Sequence, residues 1–261
     1  MPFEGVSKEA VVGTAMLGVA FAAGVLVGKK YHISMFRKSK SPKAFDKESD
    51  PGKAYALKHS LREHPVLKKM RQSTARCPAV LHAVSSEEAQ FLTNIAKLVK
   101  AKAVLIAGDS MTYLTLSMAV ALPDDVRVLS CYEASGEAEI GEPFWNKADV
   151  HQKIDLRIKL TLQILDELLQ AGEAGTYDLV FINVNNVSKP SDCYEKSLRL
   201  LRKGGIIALD GVLCQRRVLH LKKSDVVAEE IHHLNAKLLR DDRVNISILP
   251  LGDGLTLAFK L

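Results

Sequence analysis

Residues 244–260, VNISILPLGDGLTLAFK, decide the fold: two alternating β-prone runs, Val244–Leu249 and Leu255–Lys260, flank Pro250-Leu251-Gly252-Asp253-Gly254. Asp-Gly between such runs is a hairpin signal, so these two strands pair antiparallel. The chain before them alternates differently. Short apolar runs at Ala103–Ala107, Val126–Tyr132, Leu156–Lys159, Leu179–Val184 and Ile206–Leu209 read as strands. Helical patterns fall between them at Tyr113–Leu122, Trp145–Lys153, Leu162–Gln170 and Asp192–Arg202, with Gly204-Gly205 as a helix stop. Val226–Arg240 is a further helix ahead of the hairpin. Leu179–Val184 is apolar throughout, as suits a parallel strand covered on both faces. Right-handed βαβ crossovers place helices on both sides of the sheet. The expectation is an α/β doubly wound sheet of seven strands, parallel except at its C-terminal hairpin.

Upstream, Ser85 and Ser86 precede Glu88 and the apolar series Phe91, Leu92, Ile95, Leu98 and Val99, which predicts a capped helix. Ala54 to Arg71 also reads as helical, divided at Pro65. The formal net charge of +6 is unevenly placed: residues 29–76 hold 14 Lys/Arg against 4 Asp/Glu, whereas residues 77–261 hold 21 against 24. The basicity therefore lies outside the domain, which argues against nucleic acid and for an anionic lipid surface. From Ala10 to Gly28 there is no charge, and such a helix spans about 28 Å, close to a hydrocarbon core. A cleaved signal peptide is the competing reading; Glu4 and Glu9 ahead of the run, and its length, weigh against it. Lys29 and Lys30 follow the run directly, so the positive-inside rule keeps the domain on the cytosolic or matrix side. The implied organisation is a transmembrane anchor at 10–28, a basic tether at 29–53 and a domain at 54–261, in the endoplasmic reticulum or a mitochondrial membrane. Gly24 and Gly28 form a small-residue pair that leaves a homodimer open. Cys77, Cys131, Cys193 and Cys214 show no zinc-type spacing and suit a reducing compartment.

The ordered segments AVSSEEAQFL, HQKIDLRIK, AGEAGTYD, YDLVFIN, LLRKGGIIALDGVL and LPLGDGLTLAFKL resemble the cation-dependent catechol/caffeoyl-CoA O-methyltransferase family. The resemblance runs from about Leu57 to Leu261. It implies the class I, Rossmann-like S-adenosylmethionine-dependent methyltransferase architecture, with the cofactor outside the carboxyl ends of the strands. By the resemblance, the cofactor would lie against Val84, Gly108, Asp109, Ser110, Tyr113, Tyr132 and Glu133. The substrate would be a small molecule bearing a hydroxyl.

Several positions depart from the family pattern. The turn D-L-G-T-F-T-G-Y-S is here Ile106-Ala107-Gly108-Asp109-Ser110-Met111-Thr112-Tyr113-Leu114. Gly108 and Tyr113 are kept; Ile106 stands for the acid beside the methionine ammonium, and Thr112 puts a β-branched side chain where backbone and ligand should approach. Tyr132 occupies the position of the ribose-binding acid, with Glu133 next. Neighbouring strand residues face opposite ways, so Glu133 serves only if the strand ends or bulges there. For the divalent cation, D-A-D-K becomes Asn183-Val184-Asn185-Asn186 and D-N becomes Asp210-Gly211. Asn183 and Asp210 are what is left of the ligands, Asn186 replaces the catalytic lysine, and Lys189 is a nearby amine. A divalent cation such as Mg²⁺ is not expected on this set. Two expectations follow: an O-methyltransferase with a rebuilt site, or a pseudo-methyltransferase acting as a binding or scaffold protein. Trp145 reads as core, His232-His233 as surface or packing residues, and Arg216-Arg217 as solvated cations near the substrate mouth.

Overall fold

The computed structural model describes residues 51–74, 84–108, 111–133, 136–222 and 224–261. The expected anchor at 10–28 and most of the tether lie outside them. No helix among the described residues is long and apolar enough to cross a membrane.

Helices α1 (Pro51–Ser60), α2 (Pro65–Thr74) and α3 (Ser86–Leu98) lead into β1 (Ala103–Ala107), α4 (Thr112–Ala121) and β2 (Arg127–Tyr132). Then come α5 (Gly136–Lys147), a 3₁₀ turn at His151–Lys153, β3 (Ile154–Ile158), α6 (Thr161–Gln170) and β4 (Tyr177–Asn183). α7 (Pro190–Leu200), β5 (Leu201–Asp210), a 3₁₀ segment at Cys214–Leu219, α8 (Val226–Leu238), β6 (Val244–Leu249) and β7 (Leu255–Lys260) complete the domain. The strands form one sheet in the order β3-β2-β1-β4-β5-β7-β6. β1 to β5 are parallel, and β7 runs antiparallel to both β5 and β6. The Asp-Gly hairpin therefore inserts its second strand beside β5 and leaves its first on the edge.

Alternation along the strands splits the core. Val104, Ile106, Val128, Tyr132 and Phe181 face one apolar cluster with α2 to α5, while Leu105, Ala107, Leu129, Cys131 and Val180 face another with α6 to α8. The capped helix forms as expected: the Ser85 hydroxyl accepts from the Glu88 N–H at 3.3 Å.

Two readings need correction. The helix expected at Trp145–Lys153 is α5, which starts at Gly136 and carries Pro143 inside it. Gly136, Gly141 and Pro143 all count against a helix locally; burial of Ala138 and Trp145 against α4 overrides them. Gly204-Gly205 is also no simple stop. β5 begins at Leu201, and its register against β4 shifts between the Tyr177 and Leu179 pairings, so the glycines sit in a bulge with Gly204 at φ 70°.

Candidate functional site

β1, β2, β4 and β5 end side by side, and the residues singled out in the sequence gather at those ends. Ile106 pairs in register with Ser130 of β2 and Phe181 of β4 and is fully buried. After β1 the chain turns at Gly108, φ 109°. A Cβ there would come within 3.2 Å of the Asn183 side chain, so only glycine suits this turn. Asp109 and Ser110 lie outside the described residues.

Thr112 is placed differently from the expectation. It does not intrude on the turn; it is buried at the start of α4, with its methyl beside Gly141 of α5. A Cβ on Gly141 would sit 2.3 Å from that methyl and 2.5 Å from the Trp145 ring. The β-branched residue is thus absorbed into the α4–α5 contact. Trp145 is core, as expected.

Tyr132 closes β2 with its ring wholly buried in the cluster that holds Ile106. Its hydroxyl is 3.2 Å from Thr115 Oγ1, which also contacts Ser130 Oγ at 2.8 Å. Where the resemblance asks for a carboxylate turned toward a ribose, the chain has a phenol turned into α4. β2 does end at Tyr132, as a role for Glu133 requires. Glu133 is half-buried on the side of α7, close enough to help hold the Cys193 thiol high. Burial first, then Asp192 and Glu133, push that thiol up to about 12.

Val84 is buried in the apolar cluster just ahead of the Ser85 cap. Tyr113 donates its hydroxyl to Glu63 Oε1 at 2.7 Å, and Glu63 is also held by Arg71 through two 2.8 Å bonds. Burial, then the Glu63 carboxylate, raises the Tyr113 phenol above its ordinary value. This network ties the α1–α2 turn to α4, and its Glu63 and Tyr113 line a cleft of about 650 Å³ with Ser117, Gln90 and Lys97. Sequence reasoning missed it because its partners lie 50 residues apart.

Asn183 and Asp210 stand opposite each other in register at the ends of β4 and β5. The Asn183 amide oxygen already accepts from the Asn185 backbone N–H at 3.1 Å, and Asn185 Nδ2 donates to the Gly211 carbonyl at 3.3 Å. Gly211 has φ 84°, and a Cβ there would lie 2.0 Å from Asn185 Nδ2. A neutral amide belt therefore spans the β4 and β5 turns, using space that a side chain at 211 would take. Hard divalent cations require several oxygen ligands, mostly carboxylates; one carboxylate and one engaged amide oxygen do not fit. No group of three or more His, Cys, Asp or Glu able to hold a metal exists among the described residues. Asn186 donates its backbone N–H to the Asn183 carbonyl at 3.1 Å and brings no amine. Lys189 is exposed at the left-handed cap of α7. Arg216 is exposed, Arg217 is bound to Asp225 at 2.7 Å, and His232 and His233 are on the surface.

The belt makes a prediction. Gly211→Ala should cost about 2 kcal/mol of stability, from the left-handed φ plus the Asn185–Gly211 hydrogen bond that is lost when the exposed Asn185 amide swings aside. In an Asn185→Ala background the same change should cost only about 1 kcal/mol, the strain alone. Urea unfolding of the four variants measures the coupling; additive effects would show that Asn185 does not fill that space.

The family profile described as O-methyltransferase matches residues 57–261. Catechol O-methyltransferase domain-containing protein 1 of Mus musculus is 42% identical over 96% of this chain and 94% of its own length. Among solved structures, a putative O-methyltransferase from Klebsiella pneumoniae superposes with TM-score 0.70 at 27% identity, covering 79% of this chain and 94% of that one. The O-methyltransferase TomG from Streptomyces achromogenes, solved in complex with S-adenosylmethionine, has the same fold: TM-score 0.70 at 24% identity, covering 79% of this chain and 94% of that one.

Proposed function

The chain belongs to the O-methyltransferase family, whose methyl donor is S-adenosylmethionine, and from there we propose a member that no longer transfers methyl groups and acts as a membrane-held binding or scaffold protein. Tyr132 carries this reading. Ribose recognition needs an accessible acceptor at the end of β2, and this ring is fully buried with its hydroxyl on Thr115. Ile106 supports it by placing a hydrocarbon side chain where the resemblance puts an acid near the methionine ammonium. At these two positions the chain offers S-adenosylmethionine no carboxylate, and the amide belt does not fit a divalent cation. Membrane attachment is supported by the uncharged run 10–28 and the basic stretch after it; release of the protein by alkaline carbonate would refute it.

One observation favours a second reading, an O-methyltransferase acting on a small catechol-like hydroxyl compound. Gly108 keeps the positive-φ glycine turn after β1 where the resemblance puts the cofactor, and Glu133 would then be its ribose acceptor.

Calorimetric titration of the full chain with S-adenosylmethionine and S-adenosylhomocysteine, with and without Mg²⁺, separates the two. The proposal expects no saturable heat below about 1 mM ligand. A micromolar Kd, weakened by Glu133→Gln, would establish the second reading instead.

A further inference from the structure

After β5 the backbone takes three consecutive left-handed residues that are not glycine: Cys214 (φ 49°), Gln215 (φ 53°) and Arg216 (φ 65°). Each conformation is disfavoured by its own Cβ, so the surroundings must impose it. They do so with charge. Both Asp253 carboxylate oxygens accept from the Gln215 N–H at 2.7 Å, and Arg217 holds the Cys214 carbonyl at 3.2 Å. Arg217 also grips Asp225 through bonds of 2.7 and 2.9 Å, which fixes the far end of the loop and neutralises its acid.

This scaffolding holds an apolar surface outward. Leu219 is 62% exposed, Leu221 44%, Val226 61% and Val227 44%. α8 turns Ala228 and Ile231 into the core, so Val226 and Val227 are not needed there. Exposed Arg216 and Lys222 flank Leu219 and Leu221 with no acid between them, while Arg217 is paired with Asp225 and the acids Glu229 and Glu230 lie further along α8. Lysine is depleted in the cores of protein–protein interfaces. Branched apolar side chains beside Lys and Arg suit the boundary between anionic headgroups and acyl chains.

We propose that residues 215–222 and the start of α8 form a membrane-docking surface, with Leu219, Leu221, Val226 and Val227 entering an anionic bilayer while Arg216 and Lys222 meet lipid phosphates. The loop would hold the mouth of the β5 side of the domain against the membrane, whether or not the site transfers methyl groups.

Hydrogen exchange of the full chain on vesicles tests this, comparing phosphatidylcholine alone with a phosphatidylcholine–phosphatidylserine mixture. Amides of 215–227 should be protected on the anionic vesicles. Leu219→Ser/Leu221→Ser/Val226→Ser should abolish that protection, and Arg216→Gln/Lys222→Gln should weaken the loop's engagement by about fivefold per charge. Exchange in the loop that ignores phosphatidylserine would overturn the proposal. So would protection that grows with protein concentration without lipid, which would mark a contact between copies of the chain.

Discussion

Tyr132→Ala is expected to lower the unfolding free energy by about 3–5 kcal/mol, the range for deleting a fully buried aromatic ring. The ring belongs to the cluster that also holds Ile106, Phe181 and Trp145, so its loss leaves a cavity between β2, α4 and α5. The urea midpoint should fall with the slope unchanged. Tyr132→Phe should cost only about 1 kcal/mol, because Thr115 keeps its bonds to Ser130 and the Met111 carbonyl. If Tyr132 were instead a plug over a ligand site, its removal would cost little and would open a cofactor pocket. A small loss of stability together with new S-adenosylhomocysteine binding would therefore count against Tyr132 as a core residue.

The second large effect is expected at Asp178. This carboxylate is buried in β4 beside Tyr177, accepts the Lys102 and Ala103 N–H groups at 2.7 and 2.9 Å, and meets Arg202 Nε at 2.6 Å. It clamps the start of β1 to β4 and to the β5 bulge. Asp178→Ala strands two backbone donors and a guanidinium, at a cost of about 3 kcal/mol. Its pH dependence has a definite sign. Burial acts to raise its pKa, but Arg202 and the two N–H bonds outweigh that, so the folded value lies below the ordinary one. Its contribution is complete above the unfolded pKa of about 3.9 and is lost as pH falls through the folded value. The Asp178→Asn domain should therefore show a shallower loss of stability below about pH 4 than the parent in acid titrations followed by circular dichroism. Identical acid limbs would exclude this role.

Most of the architecture was legible because periodicity and turn chemistry agree. β1, β6 and β7 have the expected bounds, and Asp253-Gly254 fixes the antiparallel closure. Errors arose where tertiary packing overrode local signals, as at Gly136, Gly141 and Pro143 in α5 and at the Gly204-Gly205 bulge. At the site, sequence revealed which residue types were missing but not where their replacements point. Thr112 looked like an obstruction and is a helix-contact residue; Tyr132 looked ambiguous and is core. The belt through Asn185 was invisible because it depends on a left-handed Gly211 in another strand's turn. The Glu63–Tyr113 bond depends on a distant turn in the same way.

The sheet order also has a consequence for how the protein is made. β7 is the last strand of the sheet to be synthesised, yet it lies between β5 and β6. Its Lys260 ammonium bonds the Leu198 and Leu201 carbonyls at 2.7 and 2.6 Å, behind the start of β5. While the chain is still emerging from the ribosome, β5 therefore waits with one edge unpaired. A nascent domain lacking only this strand has an adhesive edge open to other chains. Chaperone occupancy should accordingly peak after α8 is made and drop once β7 is free to insert.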